Sequence, residues 1–87
     1  MYYVYVLAEI ETGKTYIGFT KDFRERVARH NSGKGSRYTE SGTWKLVYYE
    51  AFLSKKDAMT RERRLKQEGR AKKQLFERIY DSLTGQK

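Results

Sequence analysis

The stretch that decides the fold is YYVYVLA at residues 2–8, followed by the turn residues Thr12 and Gly13 and then by TYIGFT at residues 15–20. β-Branched and aromatic residues, which are enriched in strands, fill both runs. A short run of this kind that is bounded by a turn is typical of a buried strand. The two runs therefore predict a β-hairpin whose side chains alternate between its two faces.

Working outward from the hairpin, the next segment predicts a helix. Asp22 can accept hydrogen bonds from the free N–H groups of the first turn, and an acidic residue follows three positions later. Phe23, Val27 and His30 fall on one helix face, and a serine–glycine pair ends the helix. Residues 33–42 are polar and rich in glycine, so we expect a loop or a short helical turn there.

The rest of the chain predicts a third strand at residues 44–52 and a capped helix at residues 55–67. After Gly69, apolar side chains recur at helical spacing over residues 70–83, which predicts one last helix packed on the sheet. The order β-β-α-β-α-α predicts a single α+β domain over residues 1–87. Its core would be a small three-stranded, mostly antiparallel sheet flanked by helices.

The composition favours a folded domain with a polyanionic partner. Of 87 residues, 19 are Lys or Arg and 11 are Asp or Glu, for a net charge of +8, which points first to nucleic acid and second to an anionic membrane surface. An aromatic content of 15% excludes a disordered basic tail, and the absence of cysteine excludes disulfides and thiol nucleophiles. The sequence shows neither a membrane-spanning stretch nor a signal peptide, so we expect a soluble, cytoplasmic protein.

Two separated blocks carry the whole positive excess. Residues 14–37 hold seven basic side chains against two acidic ones, and residues 61–78 hold eight against three. Two like-charged blocks in so small a domain repel each other unless an anion lies between them, although two solvated helix faces are the simpler alternative. The predicted nucleic-acid contacts are Lys14, Lys21, Arg24, Arg29, Lys34, Arg37, Arg61, Arg63, Lys66, Arg70, Lys72 and Lys73.

Glu62 is the acidic residue that helical spacing places on an apolar stripe. It follows Ala58 by four positions and Met59 by three and precedes Leu65 by three, while Arg61 and the neighbouring basic residues point elsewhere. A carboxylate turned toward the sheet is costly unless it is paired or binds a metal ion. A salt bridge to an arginine and a metal site fit this spacing equally well, so both stay open.

The strands and the first helix add aromatic and basic candidates. Arg26 and His30 are four residues apart and share a helix face, where a lone histidine is usually a partly exposed polar residue. Tyr5 and Tyr16 lie in the two hairpin strands, where cross-strand aromatic packing explains most tyrosines. Gly18 lies within the second strand, and a glycine there allows another backbone or a ligand to come close.

These residues together resemble the motifs of the GIY-YIG endonuclease family. Residues 16–18 read YIG, and residues 3–5 read YVY, which departs from the family name but keeps the tyrosine in the third position. Residues 19–31 look like the family's first helix, and Glu62 looks like its metal-binding glutamate. The resemblance runs from about residue 2 to residue 73 and is closest to short single-domain members, which are similar to the catalytic domain of the nucleotide-excision-repair nuclease subunit.

The resemblance implies a metal-dependent endonuclease that hydrolyses phosphodiester bonds in DNA. Tyr16 would be the general base; because a tyrosine hydroxyl ionises near pH 10, a metal ion and Arg26 would have to favour its phenolate form. Arg26 would also clamp the scissile phosphate. Tyr5 and His30 would orient the water or the phosphate, with His30 as a proton shuttle. Glu62 would hold one Mg²⁺ or Mn²⁺.

The implied partner is DNA, including branched or damaged DNA, with RNA as an open alternative and room for a protein partner. We expect low sequence specificity, because the resemblance covers no additional DNA-recognition domain, and a context in DNA repair or recombination. No membrane partner and no small-molecule cofactor are expected. The main alternative is a non-cleaving nucleic-acid-binding module of the same fold. A membrane-surface or protein adaptor ranks third, because the last helix needs its apolar residues for the core.

Overall fold

A computed structural model describes residues 1–33, 39 and 41–84 of the chain and has three strands in one antiparallel sheet. The strand order is β2-β1-β3, so β1 is central and pairs with both neighbours. The predicted α+β class and the hairpin are confirmed. The elements are β1 (Tyr2–Glu9), β2 (Thr15–Thr20), α1 (Phe23–Asn31), β3 (Trp44–Phe52), α2 (Lys55–Gln67), α3 (Gly69–Arg78) and α4 (Tyr80–Thr84).

The alternation of side chains along β1 divides the interior into two cores. Val4 and Val6 are fully buried on the face that α2 and α3 cover, where Leu65 and Leu75 pack against them. Tyr5 and its neighbours on the opposite face form a smaller cluster under α1. Full burial of each large apolar side chain contributes about 1.5–3 kcal/mol, so the face under α2 and α3 dominates the stability of the domain.

A β-bulge in β3 adjusts which side chains reach each face. Val6 is opposite Tyr48 while Leu7 is opposite Leu46, so Val47 is an extra residue in the ladder. Val47 and Tyr48 consequently both contact the core under α2 and α3. Beyond the bulge, Tyr49 returns to the face of α1, where its ring stacks on Phe23 with the centroids 4.7 Å apart.

The predicted helix starts are confirmed by their capping contacts. The Asp22 carboxylate accepts hydrogen bonds from the backbone N–H groups of Arg24 and Glu25 at 3.1 and 3.2 Å. The Ser54 hydroxyl accepts one from the Asp57 N–H at 3.3 Å. These side chains bind N–H groups that have no partner inside the helix, so they place the start of each helix and the direction of its axis.

Glu9 is a buried acid that pattern analysis overlooked. Its carboxylate accepts hydrogen bonds from the N–H groups of Glu11 at 2.9 Å, Thr12 at 2.8 Å and Thr43 at 3.0 Å. These bonds, chiefly those from Thr12 and Thr43, lower the pKa of Glu9 to about 2. The charged side chain thus joins the β1–β2 turn to the start of β3.

Three expectations about the helices need correction. The predicted helix over residues 70–83 breaks at Ile79, whose backbone leaves helical geometry at φ −108° and ψ 27°, so that α3 and α4 are separate helices. Met59 is 49% exposed and lies outside the buried stripe. Arg61, expected to point away from that stripe, is half-buried and turns toward β3.

Within the part of the chain that the structure describes, no helix is long and apolar enough to cross a membrane.

Candidate active site

The candidate site begins where β1 and β2 place Tyr5 opposite Gly18. A methyl group added at Gly18 would collide with the ring and hydroxyl of Tyr5, so the tyrosine ring lies directly over the glycine. Only glycine leaves room for that ring, which explains the strand glycine that the sequence analysis noted. The ring is buried, at 1% exposure, and its hydroxyl points toward α1.

His30, in the last turn of α1, is the hydrogen-bond partner of the Tyr5 hydroxyl. The Tyr5 Oη lies 3.0 Å from His30 Nε2, and the other ring nitrogen, Nδ1, is hydrogen-bonded to the Thr39 hydroxyl. His30 is 1% exposed and Thr39 is fully buried, so the expectation that His30 is partly exposed is wrong. The three side chains form one buried chain of hydrogen bonds. Pattern analysis had no means of finding Thr39 within a polar, glycine-rich stretch of sequence.

Tyr16 lies at the boundary between this buried chain and solvent. Its ring centroid is 4.8 Å from that of His30 and 6.3 Å from that of Tyr5, and the side chain is half-buried. The Lys66 ammonium lies over the same ring, 5.6 Å from its centroid. Tyr16 and Lys66, together with Lys72, line an open cleft of about 340 Å³, so Tyr16 is the site tyrosine that a ligand can reach.

Arg26 contributes a positive charge that is only partly matched. Its side chain is half-buried, and its Nε is buried without a hydrogen-bond acceptor among the described residues. Its charge acts on both Tyr5 and His30, so it lies close to the buried chain. A buried guanidinium nitrogen without an acceptor is costly, and an anion from outside could satisfy it.

The environment holds Tyr5 and His30 in defined protonation states. Burial, with smaller contributions from Tyr16 and Glu62, raises the pKa of Tyr5 above its ordinary value of 10, while Arg26 opposes the shift. Burial first and Arg26 second lower the pKa of His30 below 6.5. Near neutral pH, Tyr5 therefore keeps its proton and His30 is uncharged.

Glu62 extends from α2 to the same region. Its side chain is 23% exposed, and its Oε2 lies 3.1 Å from the Lys66 ammonium one helical turn later. Its charge also acts on Tyr5, as expected for a group near the Tyr5–Tyr16 pair. Of the two alternatives left open by spacing, the structure shows a salt bridge, and its partner among the described residues is a lysine rather than an arginine.

A divalent ion fits this donor set as a one-carboxylate site. The described residues contain no group of three or more His, Cys, Asp or Glu side chains that could hold a metal ion. Mg²⁺ is commonly bound through one or two carboxylates, with waters and substrate phosphates completing its shell. Glu62 would hold the ion and exchange its contact with Lys66 for it.

The predicted nucleic-acid contacts divide into three groups. Arg61 is held by Glu50: its Nε lies 3.0 Å from both carboxylate oxygens and its Nη2 lies 2.8 Å from one of them. Lys34 and Arg37 lie outside the described residues. The predicted nucleic-acid contacts that have exposed side chains are Lys14, Lys21, Arg24, Arg29, Arg63, Lys66, Arg70, Lys72 and Lys73.

Comparison with known proteins confirms the family that the sequence motifs resemble. The chain matches the model of the GIY-YIG catalytic domain over residues 1–75. It is 48% identical over 75 residues to a UPF0213 protein of Streptococcus pneumoniae, covering 85% of this chain and 75% of the relative. A UPF0213 protein of Halobacterium salinarum is 47% identical over 77 residues, covering 87% and 99%. The solution NMR structure of a UPF0213 protein from Bacillus halodurans matches with a TM-score of 0.56 and 38% identity, covering 97% of this chain and 95% of that one.

Proposed function

The chain belongs to the GIY-YIG family, and we propose that it is a metal-dependent endonuclease that hydrolyses phosphodiester bonds in DNA with low sequence specificity. The observation that carries the proposal is Arg26, whose buried Nε has no acceptor among the described residues and whose charge acts on Tyr5 and His30. A phosphodiester supplies the missing acceptor. The planar guanidinium can hold two phosphate oxygens through parallel hydrogen bonds.

Tyr16 is the better candidate for the general base. Tyr5 is buried, keeps its proton and bonds to His30, whereas Tyr16 borders the open cleft. The Lys66 ammonium over the Tyr16 ring would stabilise the negative charge that forms when the hydroxyl gives up its proton. Tyr5 and His30 then act from behind Tyr16, holding its ring rather than contacting the substrate.

Glu62 is the proposed ligand of Mg²⁺ or Mn²⁺. When bound, such an ion neutralises charge on the phosphate and on the leaving oxygen. The side chain is half-buried and its charge acts on Tyr5, as the charge of Arg26 does, which supports a metal ion held near the phosphate that Arg26 would bind. Lys66, now paired with Glu62, would become available to the substrate and to Tyr16.

The exposed basic side chains would bind the DNA backbone without reading its sequence. Phosphate contacts position a duplex but carry no base information, so low specificity follows. Branched or damaged DNA and a role in repair or recombination fit this chemistry, and the protein would act in the cytoplasm. A non-cleaving DNA-binding module of the same fold would use the same surface, and only a cleavage assay separates the two.

The decisive assay incubates labelled linear, flapped and forked DNA with Mg²⁺ or Mn²⁺. We expect the parent and the control Glu77→Gln, which removes an exposed carboxylate on α3, to cleave at equal rates. Glu62→Gln should fold, bind DNA and fail to cleave, because Gln keeps the shape but loses the charge that holds the ion. Binding without cleavage by the parent under every condition would identify the non-cleaving module. Cleavage by Glu62→Gln at the parental rate would remove Glu62 from the metal site.

A further inference from the structure

We propose that Thr39 is a positioning residue: its hydroxyl fixes the tautomer and ring orientation of His30, and the fixed His30 ring in turn holds Tyr16. The inference rests on the proposed role of Tyr16 in cleavage, but its first step, the tautomer of His30, can be tested without any nuclease activity. Neither the sequence patterns nor the family resemblance pointed to Thr39.

The buried chain determines where each proton lies. The Tyr5 hydroxyl keeps its proton, and His30 Nε2, at 3.0 Å, is its one hydrogen-bond partner among the described residues. A buried hydroxyl must place its proton on an acceptor, so Tyr5 donates to Nε2. Neutral imidazole has one N–H, which must then be on Nδ1, and the group facing Nδ1 is the Thr39 hydroxyl. The direction of donation is therefore Tyr5 to His30 to Thr39.

Removal of the Thr39 hydroxyl leaves no satisfactory arrangement among the residues that the structure describes. If His30 keeps its proton on Nδ1, that N–H loses its acceptor in a site where His30 is only 1% exposed. If the proton moves to Nε2, the Tyr5 hydroxyl loses its acceptor instead. Either outcome leaves one buried donor without a partner, so the ring has reason to rotate or shift.

A shift of the His30 ring would change the position of the Tyr16 ring directly. The two rings pack with their centroids 4.8 Å apart and an interplanar angle of 57°, so His30 forms the inner wall against which Tyr16 rests. A catalytic group must be held within about 0.5 Å of its working position to act efficiently. Thr39 would thus affect the rate of the chemical step without touching the substrate.

The test uses Thr39→Val, which keeps the shape and removes the hydroxyl, and Thr39→Ser, which keeps the hydroxyl. Thr43→Val is the matched control, because Thr43 is exposed and its described hydrogen bonds use only its backbone N–H and carbonyl groups. The first readout is ¹⁵N NMR of the His30 ring, which distinguishes a protonated from an unprotonated nitrogen. We expect Nδ1–H in the parent, in Thr39→Ser and in Thr43→Val, and a mixed or shifted tautomer in Thr39→Val.

The second readout is single-turnover cleavage with DNA affinity measured in parallel. Loss of a partner that orients a site residue typically lowers activity about 10–100-fold, so we expect a loss of this size in Thr39→Val with unchanged DNA affinity and rescue in Thr39→Ser. An Nε2–H tautomer in the parent would overturn the proposal even if Thr39→Val failed to fold. Parental tautomer and rate in a folded Thr39→Val would also overturn it. If the parent cleaves no DNA, the proposed function is wrong, and so is the proposed effect of Thr39 on catalysis by Tyr16. The NMR result still decides the tautomer of His30.

Discussion

Two half-buried arginines on opposite faces of the sheet show how this small domain uses charge. On the face under α2 and α3, Arg61 meets the Glu50 carboxylate through three short contacts, and the Tyr48 hydroxyl donates to the same carboxylate at 2.7 Å. On the face under α1, Arg26 has a buried Nε without an acceptor among the described residues.

The difference separates a charge that is paired within the fold from one whose buried donor has no acceptor among the described residues. Burial alone would raise the pKa of Glu50, but the hydrogen bonds from Arg61 and Tyr48 outweigh it and hold that pKa below its ordinary value. The Arg61 network is therefore complete within the fold. The α1 face instead combines an incompletely satisfied cation with a buried polar chain, an arrangement that lowers stability and is typical of a site that binds a ligand.

The largest expected effect comes from Tyr16→Phe. Loss of a general base typically lowers the rate about 10²–10⁴-fold, and because the ring is retained, DNA affinity and melting temperature should stay near parental values. Tyr49→Phe is the matched control, since Tyr49 is on the same sheet face and 48% exposed. Single-turnover cleavage of labelled DNA measures both variants. A fully active Tyr16→Phe would remove Tyr16 as the base.

Glu50→Gln tests the opposite face. Loss of the Glu50 charge that binds Arg61 and Tyr48 should reduce the free energy of unfolding by about 1–3 kcal/mol. Each kcal/mol should lower the melting temperature by roughly 4–8 °C. The control is Glu25→Gln, because Glu25 forms an exposed pair with Arg29 at 3.5 Å, and such pairs contribute about 0.3–0.5 kcal/mol. Thermal and urea unfolding measure the difference. Equal stability of the two variants would contradict a structural role for the Arg61 network.

A smaller effect is expected at the end of the sheet, from Glu9. Its pKa is lowered to about 2 in the folded protein, so its contribution to stability is fully present above its ordinary value of 4.5 and is lost as the pH falls through about 2. Urea unfolding of Glu9→Gln should therefore show a weaker decline in stability over that pH range than the parent shows. The control Glu11→Gln, at an exposed position, should follow the parent. Parallel declines in Glu9→Gln and the parent would contradict this assignment.

Local patterns predicted the elements well because strand and helix signals are local. The bounds of β2, β3 and α2 are those predicted, since composition and capping residues mark them. The Ile79 break and the Val47 bulge were missed, because each depends on how an element fits against the sheet rather than on its own periodicity.

The candidate site was identified from the family resemblance rather than from physical chemistry. The resemblance picked out Tyr5, Tyr16 and His30, and the structure brings their rings together. Helical spacing identified Glu62 but left its partner open between an arginine and a metal ion, because an inward direction on a helix does not specify which neighbour is met. The structure pairs it with Lys66. Thr39 could not be predicted, since it contacts His30 across nine positions of the sequence and no local pattern specifies such a contact.

The comparison of Arg26→Lys with Arg61→Lys tests the central claim most directly. Both changes keep the charge and remove the planar fork, so each variant is the control for the other. In single-turnover cleavage with Mg²⁺ or Mn²⁺, Arg26→Lys should lose about 100-fold or more in rate with its melting temperature near parental. Arg61→Lys should melt lower and, when folded, cleave at close to the parental rate. The contradictory result would be the reverse: a parental cleavage rate in Arg26→Lys, or equal losses of rate in both variants.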